Sequence, residues 1–171
     1  INTVSLTAVN GNGTFTDFAA IPGAADSSLL MVYHESLETA VDNYEIYRES
    51  IAGGSYNVIK ANAEELYQQF GGGIEKHING IRRFAHYMDA NSSQKPSGLF
   101  LIGKGIREAN LNSFTSDGPG TRFDASRFQQ SLIPSFGHPS SDVAITAGLD
   151  GTYDWVPLMP TGRISARSNA E

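Results

Sequence analysis

Three short apolar runs, separated by stretches of helical periodicity, constrain this chain more than any other feature. SLLMVYH at 28–34, YNVIKA at 56–61 and GLFLIG at 98–103 have strand length, and the first is apolar without a break. A strand with no polar face must be covered on both sides, as in a parallel sheet between helices. Between the first two runs, ESLETAVDNYEIYRESIAGG places Leu37, Ala40, Val41, Tyr44 and Tyr47 at helical spacing. Glu35 and Glu38 suit its start, and Gly53-Gly54 predict its end. Between the second and third runs, AEELYQQF predicts a brief helix stopped by Gly71-Gly72-Gly73. EKHINGIRRFAHYMDAN then predicts a longer one with Ile78, Ile81, Phe84, Ala85 and Met88 on one face. Strand, helix, strand, helices, strand is the order of an α/β sheet with right-handed crossovers, and the loops beyond the carboxyl ends of such strands gather function.

The flanks are less regular. Val4, Leu6 and Ala8 alternate with polar residues and predict a half-buried strand before the turn NGNG at 10–13. TFTDFAAIPGAADSS reads as an extended connector broken by Pro22-Gly23, so residues 1–25 form an N-terminal strand and connector and 26–171 the main unit. After Gly103 comes a stretch to 141 rich in Ser, Gly, Pro, Asn and Asp, longer than connections run unless they serve a purpose. VAITAG and WVPLMPTGRIS predict two further extended segments around the turn LDGT. At the end, Ser168 and Asn169 are N-cap residue types and Glu171 suits a first helical turn, so a helix is expected to begin there.

Composition narrows the function. A length of 171 residues fits one core. A net charge of −6, with scattered Lys and Arg, speaks against a nucleic-acid partner. The absence of cysteine removes disulfides, thiolate metal sites and a cysteine nucleophile from these residues. No apolar run approaches the ~20 residues of a membrane span, and the first residues lack the pattern of an export signal.

Candidate chemistry is sparse. GKGIRE at 103–108 follows a strand, but it lacks the Walker spacing and the third glycine of a dinucleotide fingerprint, so it reads as a strand-to-loop turn. His34, His77, His86 and His138 form no pair suited to one metal; His34 ends a strand, the better place for chemistry, yet no nucleophile can be named beside it. There is no GxSxG elbow, and no two acids are marked out as a glycosidase pair. Asp117, Asp124, Asp142, Asp150 and Asp154 fall near glycine turns; the last three are weak calcium candidates, with solvated turn acids the blander reading.

Several consecutive segments carry a resemblance. SSLLMVYHESLETAVDNYEIYRES is similar to the opening strand and helix of the gingipain-like cysteine peptidases, family C25, and especially to the PorU-type sortases of the type IX secretion system. NVIKANAEELYQQFGGG resembles that family's extended segment and "eelY..F..G" helix, and EKHINGIRRF its second helix. GLFLIGKGI is similar to its "LLLxGDG" strand and turn, PSFGHPSSDVAITAGLDG to the segment with a Ser-Asp pair, and PTGRISARSNAE to "iGRixvxtxeE". The matches run in the family's order from about residue 26 to 171.

The resemblance implies an α/β, caspase-like and Rossmann-like parallel sheet flanked by helices, the first of two adjacent subdomains. The catalytic His and Cys belong to the second and are expected beyond residue 171. In that mechanism a thiolate attacks the peptide carbonyl, and a sortase passes the acyl group to an amine instead of water. No cofactor is required and no residue here is catalytic; structural calcium on the turn acids named above is the one metal allowed for. Ser141-Asp142 and Gly162-Arg163 match family pairs, with Asp142 expected to fix a loop and Arg163 to be a buried-edge ion-pair partner, both in structural roles. Lys104 departs from the family, which has an acid there. The implied partners are the catalytic subdomain of the same parent, joined through a shared sheet, a peptide or protein substrate, and type IX secretion components. The implied location is extracellular or the outer cell surface of a member of the Bacteroidetes. Two alternatives stand beside this: a catalytically inactive C25-like scaffold or binding module, and a free-standing flavodoxin-like or nucleotide-binding domain, against which the missing phosphate loop argues.

Overall fold

The computed structural model describes residues 14–106, 125–136, 140–151 and 153–171. The strand expected at 2–9, its turn, and Asp117, Asp124 and His138 lie outside them. Four strands, β1 (Leu29–Tyr33), β2 (Val58–Asn62), β3 (Gly98–Ile102) and β4 (Thr161–Ile164), form one parallel sheet in the order β2-β1-β3-β4. The helices are α1 (Glu38–Glu49), α2 (Ala63–Gln69), α3 (Ile78–Ala90) and α4 (Ala125–Gln130). Leu29 pairs with both Val58 and Gly98, and Tyr33 with both Asn62 and Ile102, so β1 is central and all five of its residues are buried.

Alternation along the strands divides the core into two layers. Leu30, Val32, Ile59, Ala61, Leu99 and Leu101 meet Leu66 and Tyr67 of α2 and Ile81, Phe84, Ala85 and Met88 of α3. Leu29, Met31, Tyr33, Val58 and Ile102 meet Leu37 and Val41 at the start of α1. Helices therefore cover opposite faces, and the apolar character of both faces of β1 follows from its position. No helix among the described residues is long and apolar enough to cross a membrane.

Three local expectations are corrected. Helix α1 ends at Glu49, four residues before the glycines: the Ser50 N–H already donates to the Ile46 and Tyr47 carbonyls, and the chain then reverses. Gly53 serves that reversal, because a Cβ there would lie 1.8 Å from the Tyr47 carbonyl oxygen. The segment at 14–28 is folded instead of extended, with a 3-10 turn at Phe18–Ala20. Its Phe18 is buried edge-on to Phe84 at 4.9 Å, and its backbone is held by the Glu65 and Gln69 side chains, so Phe18 and Ala24 belong to the main core. VAITAG forms a 3-10 turn at Val143–Ile145, which buries Ile145 in one turn where a strand would have needed a pairing partner.

Candidate functional site

The chain crosses from β1 to β2 through α1 on one face, then from β2 over β1 to β3 through α2 and α3 on the other. The carboxyl ends of the neighbouring strands β1 and β3 therefore send the chain in opposite directions. Open α/β sheets bind ligands at such a switch point. Here it is bounded by His34 after β1 and by Gly103-Lys104 after β3, with the His34 N–H donating to the Ile102 carbonyl at 3.4 Å.

His34 is the centre of a polar cluster. Its Nδ1 accepts the Ser36 N–H at 3.2 Å, capping the 3-10 turn Glu35–Leu37, and lies 2.9 Å from Ser36 Oγ. Its Nε2 lies 3.1 Å from Glu64 Oε1. An acceptor role at Nδ1 assigns the ring proton to Nε2, which donates it to Glu64. Glu64 is placed by Asn62, whose side chain accepts the Glu64 N–H at 2.8 Å at the start of α2. Burial, the dominant cause, pushes the Glu64 carboxyl up to about 7 and draws the His34 imidazole down, the nearby Lys76 ammonium adding to the latter. The 3.1 Å contact couples the two groups into a unit that takes up a single proton near neutrality.

Around this pair sit further constrained groups. Lys76 has a left-handed backbone (φ 54°) and a side chain only 5% exposed. Its Nζ donates to the Phe128 carbonyl at 2.8 Å and lies 4.2 Å from the centre of the Phe128 ring. Burial lowers its pKa. The Tyr67 hydroxyl and Glu64 Oε2 are buried without a hydrogen-bond partner among the described residues, and burial raises the Tyr67 pKa. Strain, orphaned polar atoms and shifted titrations together mark functional regions more often than inert cores.

A second device borders the first. Arg163 of β4 makes a bidentate pair with Asp142, Nε to Oδ2 at 2.8 Å and Nη2 to Oδ1 at 2.7 Å. Its remaining N–H groups donate to the carbonyls of Gly103, Ile133 and Pro134 at 2.7–3.0 Å. All five donors of the guanidinium are used, none being left for a ligand. Gly162, beside it, has its Cα facing the Phe100 ring, at ordinary contact distance for an added Cβ.

The remaining candidates separate. Asp142 is taken by Arg163, while Asp150 and Asp154 are exposed on the turn after the 3-10 helix. Among the described residues no three His, Asp or Glu side chains are grouped as metal ligands. In the GKG turn the Gly103 N–H donates to the Ile164 carbonyl and the Lys104 N–H to that of Ala166, so neither is free to cradle a phosphate. His77 caps α3 by accepting the Asn79 N–H, and His86 is exposed on that helix. Ser36, Glu64 and Lys76 were not singled out in the sequence. Ser36 lies two residues from His34, a spacing that could have been noticed; Glu64 and Lys76 are 30 and 42 positions away, and only the fold unites them.

The model of peptidase family C25 matches residues 24–171. No curated protein matches the sequence. Among solved structures, dimeric latent PorU from Porphyromonas gingivalis is similar in fold, with a TM-score of 0.58 at 19% identity over 83% of this chain. The chain spans 14% of that protein's length. The four-stranded parallel sheet, its helices on both faces and the family match over most of the sequence agree, and the chain belongs to peptidase family C25.

Proposed function

We propose that these residues are the first, non-catalytic subdomain of a gingipain-like cysteine peptidase or type IX secretion sortase, acting at the cell surface or outside the cell. The family match over residues 24–171 carries this reading. The chain contains no cysteine, so the thiolate that attacks the peptide carbonyl comes from the catalytic subdomain, with its histidine, beyond residue 171. The subdomain described here contributes a rigid sheet whose carboxyl edge is locked by Arg163 and Asp142, with Gly162 beside them in β4. Residues Asp150 and Asp154 are left as surface acids with calcium as an optional structural ligand.

The test is to sequence the parent gene downstream and treat the parent protein with a labelled peptide-ketone thiol probe. A His and Cys after residue 171 with covalent capture supports the peptidase or sortase. Absence of both residues overturns the enzyme assignment in favour of an inactive C25-like scaffold. Amine-dependent transfer of a peptide, as opposed to its hydrolysis, distinguishes the sortase.

A further inference from the structure

His34 lacked a nucleophile in the sequence; the fold supplies one. Ser36 Oγ lies 2.9 Å from His34 Nδ1, and the opposite nitrogen of the same ring lies 3.1 Å from Glu64 Oε1. Hydroxyl, imidazole and carboxylate are thus in series at the carboxyl end of β1, at the sheet's switch point. Ser36 is exposed and accessible, while His34 and Glu64 side chains are 16% and 23% exposed. Serine activation needs a hydrogen-bonded base that is itself oriented by a third group, and this arrangement has both. The set is unrelated to the cysteine chemistry expected of the parent.

We propose that Ser36 is a nucleophilic hydroxyl that is acylated by carboxylic esters, with His34 as its base and Glu64 positioning the imidazole. The Ser36 Oγ–carbon bond forms at the ester carbonyl, and the bond to the leaving alkoxide oxygen breaks. The Oγ proton passes to His34 Nδ1 and then to the leaving oxygen; water, deprotonated by the same nitrogen, later releases the acid. When Nδ1 is protonated it can no longer accept the Ser36 N–H, which becomes available as negative charge develops on the carbonyl oxygen. A nucleophilic serine's own N–H is one of the two oxyanion donors in serine proteases. The neighbouring donors are committed, Leu37 N–H to the His34 carbonyl and Ala40 N–H to Asn169 Oδ1. With one oxyanion donor in place of two, the site accumulates acyl-enzyme and turns over slowly, since each missing donor costs about 100- to 1,000-fold in rate.

The groups facing the pair are Glu35 on the same turn, Lys76 and Glu75 from the connection before α3, and Tyr67 from α2. The base must be neutral and the carboxylate ionised for reaction, so acylation rises with pH as the His34–Glu64 pair loses its proton near neutrality.

A fluorophosphonate probe on the full 171-residue chain tests this, with adducts mapped by peptide mass spectrometry; the absence of cysteine removes any thiol background. The expected result is one adduct per chain on Ser36, abolished in Ser36→Ala and slowed about 100-fold in His34→Gln. Glu64→Gln is expected to slow labelling and remove the inflection near neutrality, with Glu64→Asp restoring part of it. Melting curves of each variant establish that it is folded. No adduct on the wild-type chain, labelling confined to Lys or Tyr side chains, or equal labelling of Ser36→Ala overturns the proposal. An unchanged pH profile in folded Glu64→Gln overturns the role given to Glu64. None of these outcomes bears on whether the parent has a downstream His and Cys.

Discussion

Arg163 shows how one residue can decide the geometry of a whole edge. Its guanidinium joins Asp142 to three carbonyls, one from Gly103 just after β3 and two from the segment after α4, and its side chain is only 9% exposed. Removing one member of a buried pair leaves the rest unsatisfied, so Arg163→Ala is expected to lower stability by ~3 kcal/mol. Arg163→Lys should recover little, because an ammonium cannot reproduce the fork. Denaturant unfolding of both, with Asp142→Ala and the double variant, checks this; a coupling energy near zero would dismiss the pair as a lock. Glu64 makes a second prediction at this scale. Its folded pKa of about 7 lies above the usual 4.5, so between those values the folded chain holds a proton that the unfolded chain releases. The stabilisation is full below about 4.5 and is lost as pH rises through about 7. His34, shifted down, works oppositely: its share is full above its ordinary value and is lost as pH falls from there through the lower folded one. Melting temperature measured from pH 5 to 8 is expected to fall in the wild-type chain and to flatten in Glu64→Gln.

At the scale of elements, strand positions were legible because their burial leaves a mark in composition. SLLMVYH and GLFLIG contain β1 and β3 to within a residue at either end, while YNVIKA starts two residues before β2 and stops one short of its end. Helix ends were less legible: two glycines after α1 suggested a stop, whereas Ser50 ends it and Gly53 answers a steric demand from Tyr47. Caps also come from afar. Asn169 has the residue type of a local cap, yet its Oδ1 accepts the Ala40 N–H at 3.0 Å and its Nδ2 donates to the Ser36 carbonyl at 3.1 Å. The turn it sits in is closed separately, by the Glu171 side chain accepting the Arg167 N–H. Asn169→Ala is expected to cost about 0.5–1 kcal/mol through the start of α1, measurable as a drop in the urea midpoint. No change in that midpoint would mean the contact is idle. The same distance problem hid the cluster at His34, because alternation and helical period describe neighbours along the chain and say nothing of which turns meet at one sheet edge.

For the whole molecule, residues 14–24 provide the sharpest test of organisation. They read as a connector, but Phe18 is buried against Phe84 and Phe70 in the main core. Phe18→Ala is expected to destabilise the entire fold by about 3 kcal/mol in a single cooperative transition. A separate early transition, with the remainder unaffected, would restore the connector reading. The order strand, helix, strand, helices, strand and the two-sided burial of β1 were determined by sequence alone, since apolar period and turn residues act over a few positions. Family C25 membership was carried in the same local segments. Which faces the helices cover, the partnership of Arg163 with Asp142, and the meeting of the His34-Ser36 turn with Glu64 and Lys76 were decided only by the tertiary structure. The reason is physical: each depends on groups 21 to 60 residues apart being brought together by burial of the sheet, and the energy that selects those meetings exists only once the core has formed.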